Sequence, residues 1–556
     1  MRKIICLLLI ALVSIISGCG LTSIPEAHLT DNNENSSEDI PGPTEPAPRF
    51  GGELRVSLTA PDTFNPLLTQ SRDIMNFLSL VFESPIEYDE NLKPVPSLVT
   101  NWEASPDGRL WVFDVRKGVK WHNGESFSGE DILFTLQVLQ SDTLESFYQK
   151  NLFVDMNIVE YGLRSGDPYT IYIRLGEPSY HILDYLTFPV LPRSVYQSAE
   201  FIMESKSDFS LLPVGTGPYR VDPTHPYEGE TIKLVKNESW WDGTPYIDSI
   251  LGKIYATNDE AWDAFYQNDV DLVDTTVVYA NTRLNRNNAN HYKYLTSDFE
   301  LLALNNTHAL FQEKVIKKAM AYGIDRKDII SKVYLNNAET VDVPIPSNSW
   351  LYDSSYRIYD YDVERASRLL EEAGWRDHDG DGILDREIDG TKVDLSFTIL
   401  TNSDNDLRKD TADLIAEQLG TIGFQIQVEV LPWDLLQEER IATGEFDAIL
   451  TGFSLDSMHD LRSVLHSGWM GEQGNNFISY NNPELDRMLE RAAEAYTEED
   501  RLEAYLGIQE HLTDELPFIS LYFRTGSLLA DSRVHGIDSI GELSTFKNVE
   551  DWFLIR

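Results

Sequence analysis

The segment "VDLSFTILTNSDNDLRKDTADLIAEQLGTIGFQIQVEVL" (residues 393–431) decides the fold class of this 556-residue chain. Residues 393–400 and 424–431 alternate apolar and polar side chains as strands do. The stretch between them has apolar residues at helical spacing, and Gly420 is placed to end that helix. A second helical stretch and the apolar run "EFDAILTGF" (445–453) follow. This β-α-β-α-β order predicts parallel strands joined by right-handed crossovers, with helices on both faces of the sheet.

The earlier half of the chain contains a related pattern. "TIKLVKN" (231–237) and "SILGKIYA" (249–256) have the composition of strands, and residues 258–274 are typical of a helix that runs into a strand. In "AFYQNDVDLVD", as in "ERIATGEFDAIL", a helix end and a tight turn precede an acid and an apolar run. About 500 residues are too many for one hydrophobic core, so two or three domains are expected. The repeated pattern indicates two α/β lobes built on similar plans.

The chain is strongly acidic, since 91 aspartates and glutamates outnumber 45 lysines and arginines and give a formal net charge of −46. Such a surface repels the phosphates of nucleic acids and of anionic lipids, so neither is expected to bind it directly. The charge says little about the ligand. The sequence contains no H-E-x-x-H, G-x-S-x-G, Walker-type or G-x-G-x-x-G motif. It therefore predicts neither a catalytic residue nor a required cofactor.

The N-terminus has the features of a signal peptide. A basic pair precedes residues 4–16, an apolar run shorter than the ~20 residues needed to span a bilayer. The following "ISGC" (16–19) resembles the lipobox of bacterial lipoproteins. This resemblance implies removal of residues 1–18, acylation of the Cys19 thiol and attachment to a membrane by lipid. A plain secretory signal with an incidental cysteine is the alternative.

Residues 19–50 are predicted to be a disordered tether. The segment is rich in acids and prolines, so it cannot bury enough apolar surface to offset the entropy lost on ordering. Strand-like alternation begins near Gly51. Because Cys6 would leave with the signal and Cys19 would be acylated, we expect neither a disulfide nor a cysteine-ligated metal.

Six further segments resemble, in order and spacing, the extracytoplasmic solute-binding proteins of ABC importers, specifically the peptide-, dipeptide- and nickel-binding group known as family 5. The resemblance spans residues 51–556. The matching segments are "WEASPDGRLWVFDVRKGVKWHNGESFSGEDILFTL" (102–136), "VGTGPYRV" (214–221), "KAMAYGIDRKDII" (318–330), "YDVERASRLLEEAGW" (361–375), "YNNPELDRMLERA" (480–492) and "LPFISLYF" (516–523).

The resemblance implies a fold of the α/β class, the two-lobed periplasmic-binding-protein fold with an extra subdomain. A hinge between the lobes would enclose the ligand in a cleft. The chain would cross between lobes near residues 296–304 and again near 512–518. The implied domains are lobe I at 51–299 with an inserted subdomain at roughly 85–200, lobe II at 300–512, and a return to lobe I at 513–556.

The same resemblance implies a function. The chain would be a membrane-anchored, extracytoplasmic monomer that captures oligopeptides or dipeptides and delivers them to the permease subunits of an ABC importer. Two alternatives remain open. One is a nickel-chelate or oligosaccharide receptor on the same fold, and the other is a peptide-sensing or chaperone-like surface lipoprotein without a transporter.

The predicted binding residues follow the apolar run that ends near residue 453. Phe453, Ser454, Asp456, His459 and Asp460 would lie on a loop at the carboxyl edge of the sheet. In peptide-binding members of the resembled family, an aromatic residue and an aspartate three positions later serve the peptide, and the aspartate pairs with its α-amino group. Phe453 and Asp456 have that spacing, although the aromatic residue is usually tryptophan. Asp460 in that role, or a turn-capping Asp456, are the alternatives.

A second acidic pattern suggests a structural calcium site. In "DHDGDGILDRE" (377–387), Asp377, Asp379, Asp381 and Asp385 occupy positions 1, 3, 5 and 9 of a calcium-binding loop. The twelfth position is Ile388, where a bidentate glutamate is expected. A hairpin tip without metal is therefore the alternative.

Overall fold

The predicted β-α-β-α-β segment is present and forms one end of a large sheet. Ser396–Asn402 and Gln425–Leu431 pair in parallel and are joined by the helix Asp406–Gly420. Ala448–Ser454 pairs in parallel with the other side of Ser396–Asn402. The second connection includes a π-helical stretch, Leu436–Ile441. The alternation of side chains thus identified both strands, and the β-α-β order correctly predicted that they run parallel.

The structure is a computed structural model that describes residues 46–144, 146, 148, 157–225, 227–278, 288–388, 390–455, 459–471 and 474–555. Cys19 and the predicted signal peptide lie outside the described residues. The strands are β1 Glu53–Leu58, β2 Ile86–Tyr88, β3 Pro94–Pro96, β4 Val99–Ala104, β5 Leu110–Val115, β6 Ile158–Leu163, β7 Thr170–Leu175, β8 Tyr219–Val221, β9 Thr231–Lys236, β10 Ser249–Ile254, β11 Leu272–Thr275, β12 Ala289–Leu304, β13 Ala338–Thr340, β14 Asp385–Ile388, β15 Thr391–Asp394, β16 Ser396–Asn402, β17 Gln425–Leu431, β18 Ala448–Ser454, β19 Phe518–Asp531, β20 Val534–His535 and β21 Phe553–Leu554.

The α-helices are α1 Arg72–Ser79, α2 Gly129–Leu139, α3 Ile182–Tyr185, α4 Arg193–Tyr196, α5 Ala199–Glu204, α6 Asn258–Tyr266, α7 Lys314–Gly323, α8 Arg326–Lys332, α9 Val363–Glu372, α10 Asp406–Gly420, α11 Trp433–Leu435, α12 Arg462–Leu465, α13 Pro483–Glu494 and α14 Glu498–Glu515. Short 3₁₀ turns occur at Arg164–Gly166, Ala309–Gln312, Ser354–Tyr356, Ser467–Trp469 and Val549–Asp551.

Two long antiparallel strands, β12 and β19, run through the middle of the large sheet. Within the described residues this sheet has eleven strands in the order β17-β16-β18-β12-β19-β11-β1-β10-β9-β8, and β13 pairs with β19. β1 pairs in parallel with β10 and with β11 on the side of β12 and β19 opposite to β16–β18. The sheet is therefore two parallel groups of strands held together by two shared strands.

A second sheet, in the order β4-β5-β7-β6, lies within the range predicted for the inserted subdomain. Its β4–β5 turn contains Gly108, whose φ of +66° is readily adopted by glycine. A Cβ atom there would also lie 2.4 Å from the ring of Tyr496. The "SPDGR" segment (105–109) is thus a turn that packs against a distant part of the chain.

The described residues form three large hydrophobic cores. The first core joins β1, β10 and β11 to the antiparallel sheet β4–β7. The second and third cores lie on opposite faces of the β16–β18 group, because alternate residues of β12, such as Leu302 and Leu301, point to opposite faces. Helices α7 and α10 cover the second core, and α13 and α14 cover the third. The result is a two-lobed α/β fold. The exact domain boundaries stay a prediction.

Candidate functional site

The carboxyl ends of both parallel groups converge on one short stretch of β12. β11 runs in the same direction as β12. Its last residue, Thr275, and Lys293 of β12 pair with the same residue of β19, one from each side. β18 runs the opposite way, and its last residue, Ser454, pairs with Asp298. In open α/β sheets, ligands bind outside the carboxyl ends of the strands. Residues 293–298, here called the notch, therefore mark the candidate binding site.

The ladder between β12 and β19 is interrupted at the notch. Regular pairing stops at Leu295 and resumes at Phe299. Between them, the backbone N–H of Ser297 donates to Oε2 of Glu542 at 2.7 Å, and the Ser297 hydroxyl lies 2.9 Å from the Ser454 hydroxyl. Irregular pairing bends a strand and re-aims its side chains. The notch is thus a bend point of the sheet that is lined with hydroxyl and carboxylate groups.

A polar cluster borders the notch on the side of the first core. The guanidinium of Arg72, the first residue of α1, lies 3.5 Å from Asp274 and 3.6 Å from Glu542. The Tyr294 hydroxyl donates to Asp274 at 2.6 Å. Burial raises the pKa of the Asp274 carboxyl, and the charge of Arg72 offsets this only in part. The cluster therefore combines hydrogen-bond donors and carboxylates that a polar ligand could contact.

Three of the four predicted ligand-binding residues lie in the described part of the chain, whereas Asp456 lies outside it. Phe453 and Ser454 are the last two residues of β18, so they belong to a strand and precede the loop. The Asp460 carboxylate accepts hydrogen bonds from Arg462 at 3.0 and 2.5 Å. Burial would raise the pKa of Asp460, but these hydrogen bonds and the charge of Arg462 hold it below its usual range.

An apolar recess lies beside Phe453. Its deep wall contains buried residues of the third core, including Phe299 and Phe518. Half-buried Phe453, Leu455 and Phe477 also line it, and the Phe453 and Phe477 rings are 6.1 Å apart. All eleven lining residues are uncharged, and only one, an asparagine, is polar. In a chain with 91 acidic residues, this composition indicates a place for an apolar group.

The predicted calcium-loop residues are only partly brought together. Carboxylate oxygens of Asp377, Asp379 and Asp381 lie within 4.8 Å of one another, and all three residues are exposed. Asp385 is instead buried at the start of β14, where its carboxylate accepts a hydrogen bond from the backbone N–H of His378 at 3.2 Å. The three exposed aspartates could hold a cation, and Asp385 has a different hydrogen-bonding role.

Sequence reasoning did not identify Arg72, Asp274, Tyr294 or Glu542. Asp274 could have been found, because it lies at the end of the strand in "DLVD", just as Phe453 lies at the end of the strand in "AILTGF". The position of Glu542 depends on how the C-terminal segment returns to α1, and short-range sequence patterns contain no signal for that return.

Two parallel groups of strands that share two long strands and open on one notch define the class of two-lobed solute-binding proteins. The chain belongs to the bacterial extracellular solute-binding proteins, family 5, whose "Middle" model matches residues 93–475. It is 26% identical over 518 residues to the oligopeptide-binding protein AppA of Bacillus subtilis, covering 92% of this chain and 93% of that protein. It is 22% identical over 514 residues to the dipeptide-binding protein of Escherichia coli, covering 88% and 92%.

Solved structures show the same fold. The structure of AppA from Bacillus subtilis in complex with a nonapeptide aligns with a TM-score of 0.62 at 24% identity, covering 92% of this chain and all of that one. HbpA2 from Haemophilus parasuis aligns with a TM-score of 0.75 at 19% identity, covering 91% and 100%. Among the described residues, none of the helices has the length and apolar character needed to cross a bilayer.

Proposed function

We propose that this chain captures oligopeptides or dipeptides outside the cytoplasm and delivers them to an ABC importer. Membership of the family supports binding of a solute, and the oligopeptide- and dipeptide-binding relatives support peptides as the class of solute. The single observation that carries the proposal is the notch, where the strand ends of both lobes meet. A ligand bound there contacts both lobes, and such a ligand favours the closed arrangement over the open one.

The interrupted ladder supplies the hinge. Since β12 and β19 are the strands shared by both groups, bending at Leu295–Phe299 and at the facing Phe523–Thr525 moves one lobe against the other. This proposal puts the second crossing a few residues after the 512–518 segment expected from the sequence.

The ligand contacts follow from the same place. Asp456 would pair with the peptide ammonium, because a buried positive charge needs a compensating carboxylate. Phe453 and Ser454 would contact the adjacent peptide unit, and the recess beside Phe453 would accept an apolar side chain. Binding and release need no chemistry, so the protein would act without a catalytic residue or a required cofactor.

The remaining expectations concern location. Lipid on Cys19 would hold the protein on the outer face of a membrane. The acidic tether would let the folded part move some distance from that membrane, and the permease would receive the peptide-loaded monomer.

A calcium ion at Asp377, Asp379 and Asp381 would be structural.

Two measurements test the proposal. Native mass spectrometry of the gently purified chain should release a ladder of short peptides; a single metal-chelate, haem or sugar mass would support an alternative ligand instead. Asp456→Ala should then weaken peptide binding by about thirtyfold or more, because it leaves an ammonium unpaired, whereas Asp460→Ala should weaken it far less. N-acetylation of the peptide should reproduce the Asp456→Ala loss in the unaltered protein. Equal losses from both aspartate variants would contradict the assignment of Asp456.

A further inference from the structure

A fully buried ion pair joins helix α14 to helix α3. Nη1 of Arg501 lies 2.7 Å from Oδ2 of Asp184, and the two side chains are 1% and 2% exposed. Nδ1 of His181 lies 3.1 Å from the same carboxylate oxygen. Burying two charges is costly unless geometry and further hydrogen bonds compensate for the lost water. The groups around this pair must therefore compensate for the water that both charges have lost.

Aromatic rings complete the enclosure. The guanidinium carbon of Arg501 lies 5.3 Å from the ring centre of Tyr180, 5.7 Å from that of Trp350 and 5.9 Å from that of Tyr505. A cation over aromatic faces gains further electrostatic stabilisation, and more so where water is excluded. The arrangement stabilises the arginine only when all of these groups are together.

The pair connects two different hydrophobic cores. The neighbours of Asp184 in α3, such as Leu183, belong to the first core, whereas Tyr505, one turn along α14 from Arg501, belongs to the third. Trp350 packs against both cores. Asp184 and Arg501 are 317 positions apart in the chain. The pair therefore bridges the two lobes at a place where no described strand passes between them.

Beside these rings, the contact includes hydrogen bonds that water can also satisfy. The backbone N–H of Tyr180 donates to the Ala495 carbonyl at 2.6 Å, and the Ser179 hydroxyl donates to the Ala493 carbonyl at 2.9 Å. The backbone N–H of Trp350 donates to the Asn91 carbonyl at 2.8 Å. These bonds can be exchanged for bonds to water when the surfaces part, unlike the continuous ladder of β12 and β19.

We infer that the Arg501–Asp184 pair is a latch between the lobes, formed when they close and hydrated when they open. Arg501 and Asp184 are positioning residues: they set how long a bound peptide is retained, without touching it. The closed arrangement requires a cation at this place, because any uncharged substitute leaves Asp184 buried without its counter-ion. This inference rests on the proposed function, since it assumes closure around a peptide.

The test uses the full chain and a pool of synthetic di- to nonapeptides. Hydrogen–deuterium exchange is followed at residues 179–186 and 498–505, with and without the pool, and peptide dissociation is timed separately. In the unaltered protein, the pool should slow exchange in both segments. In Arg501→Met this slowing should be lost and dissociation should be about tenfold faster or more, with association changed by about twofold or less.

A matched control lies at the same contact. Lys93 and Glu498 form an exposed pair, with a 2.6 Å separation and side chains 33% and 52% exposed. Glu498→Gln should leave both readouts unchanged, because exposed pairs contribute little. Arg501→Lys keeps the charge without the planar fork, so it should restore part of the retention.

The outcomes of these measurements distinguish a latch from a permanent contact. Slow dissociation in Arg501→Met, or full protection of both segments in the unaltered protein without peptide, would show that the contact is permanent and would overturn the latch. The second of these readouts needs no variant, so it stands even if Arg501→Met fails to fold. Failure of the unaltered protein to bind any member of the pool would contradict the proposed function and the latch with it. Peptide binding with unchanged dissociation in the variant would contradict the latch alone.

Discussion

Asp184 and Glu83 are two buried carboxylates of the first lobe with opposite surroundings. Asp184 faces the Arg501 guanidinium, whereas Glu83 accepts hydrogen bonds from the indole N–H groups of Trp240 at 3.1 Å and Trp241 at 2.9 Å. Burial raises the pKa of both groups, but the charge of Arg501 brings that of Asp184 below its usual range. The pKa of Glu83 is raised to about 7, since its neutral donors offset burial only in part.

Asp184 and Glu83 differ in which lobe supplies their partners. The partners of Glu83 belong to its own lobe, because Trp241 packs against the first core. The partner of Asp184 belongs to the other lobe. Removing Glu83 should therefore alter the stability of one lobe whatever the ligand state, whereas removing Asp184 should alter the relation between lobes. Two predictions test this contrast, and a third extends it to exposed carboxylates.

The largest effect is expected from Asp184→Asn. In the closed, peptide-saturated protein, this change leaves the Arg501 guanidinium buried without its counter-ion, at a cost of about 3–5 kcal/mol. In the ligand-free protein, the same guanidinium can be hydrated by opening, so the cost should be much smaller. Thermal unfolding at pH 7 with and without the peptide pool measures both values.

The contrast between Asp184 and Glu83 would be wrong if Asp184→Asn lowered the free energy of unfolding equally with and without the peptide pool, because the Arg501–Asp184 pair would then be a permanent part of the fold.

The pH dependence of the unfolding free energy gives a second check. The folded pKa of Asp184 lies below its unfolded value, so its contribution is present above the unfolded pKa and is lost as the pH falls through the folded one. Asp184→Asn should therefore lose less stability than the unaltered, saturated protein as the pH is lowered below about 4.

A smaller effect of opposite sign is expected from Glu83→Gln. The folded pKa of about 7 lies above the unfolded value of 4.5, so between these pH values the folded protein holds a proton that the unfolded chain has lost. Stability therefore falls as the pH rises through this window. Glutamine removes the ionisation and still accepts from the indoles. At pH 8 it should raise stability by up to roughly 3 kcal/mol, and at pH 4 it should have little effect.

Denaturant unfolding of both proteins at pH 4, 6 and 8 measures this difference. It should be the same with and without peptide, in contrast to Asp184→Asn. Glu550, whose pKa burial also raises to about 7, titrates in the same window, so only the difference between Glu83→Gln and the unaltered protein isolates Glu83. A variant that is less stable at pH 8 would show that Glu83 stabilises the fold as an anion.

The sequence predicted those parts of the fold whose elements are close in the chain and have a regular spacing of apolar side chains. The periodicity of residues 393–431 identified β16, α10 and β17, because every partner in that unit is close in the chain. The full length of β12 was not predicted, because its first half, "ANHYKYLTSDF", is polar and pairs with β19, more than 200 residues away. Long-range pairing of this kind leaves no local signal.

In the candidate site, too, residues with a local sequence pattern were predicted, and residues brought together by long-range contacts were not. Phe453 and Ser454 were predicted as binding residues because they follow an apolar run, and the structure puts the end of their strand at the notch. The expectation that they lie on a loop was wrong, because pairing with β12 extends the strand past its apolar run. The neighbours Arg72, Tyr294 and Glu542 come from three distant segments, and the Arg501–Asp184 pair spans 317 positions. Only the fold brings such residues together.

The smallest effect is expected where carboxylates are exposed. Asp377, Asp379 and Asp381 lie at the surface, and Nζ of Lys392 is 2.5 Å from Asp379 and 3.1 Å from Asp394. This ammonium already neutralises part of the charge that a calcium ion would bind, so we expect at most millimolar affinity. With 5 mM Ca²⁺, the stabilisation should be about 1 kcal/mol or less.

Thermal unfolding with Ca²⁺, with Mg²⁺ and with a chelator measures this effect. Lys392→Met should increase the response to Ca²⁺, because it removes a competing cation, and Asp377→Asn should abolish it. A large shift in the unaltered protein would contradict the view that exposed carboxylates contribute least, and it would mean that the loop rearranges to recruit a further ligand. Asp385 is one carboxylate available for that purpose, since Lys392 Nζ lies 3.7 Å from it. Asp385→Asn would then remove the large shift but leave a small one intact.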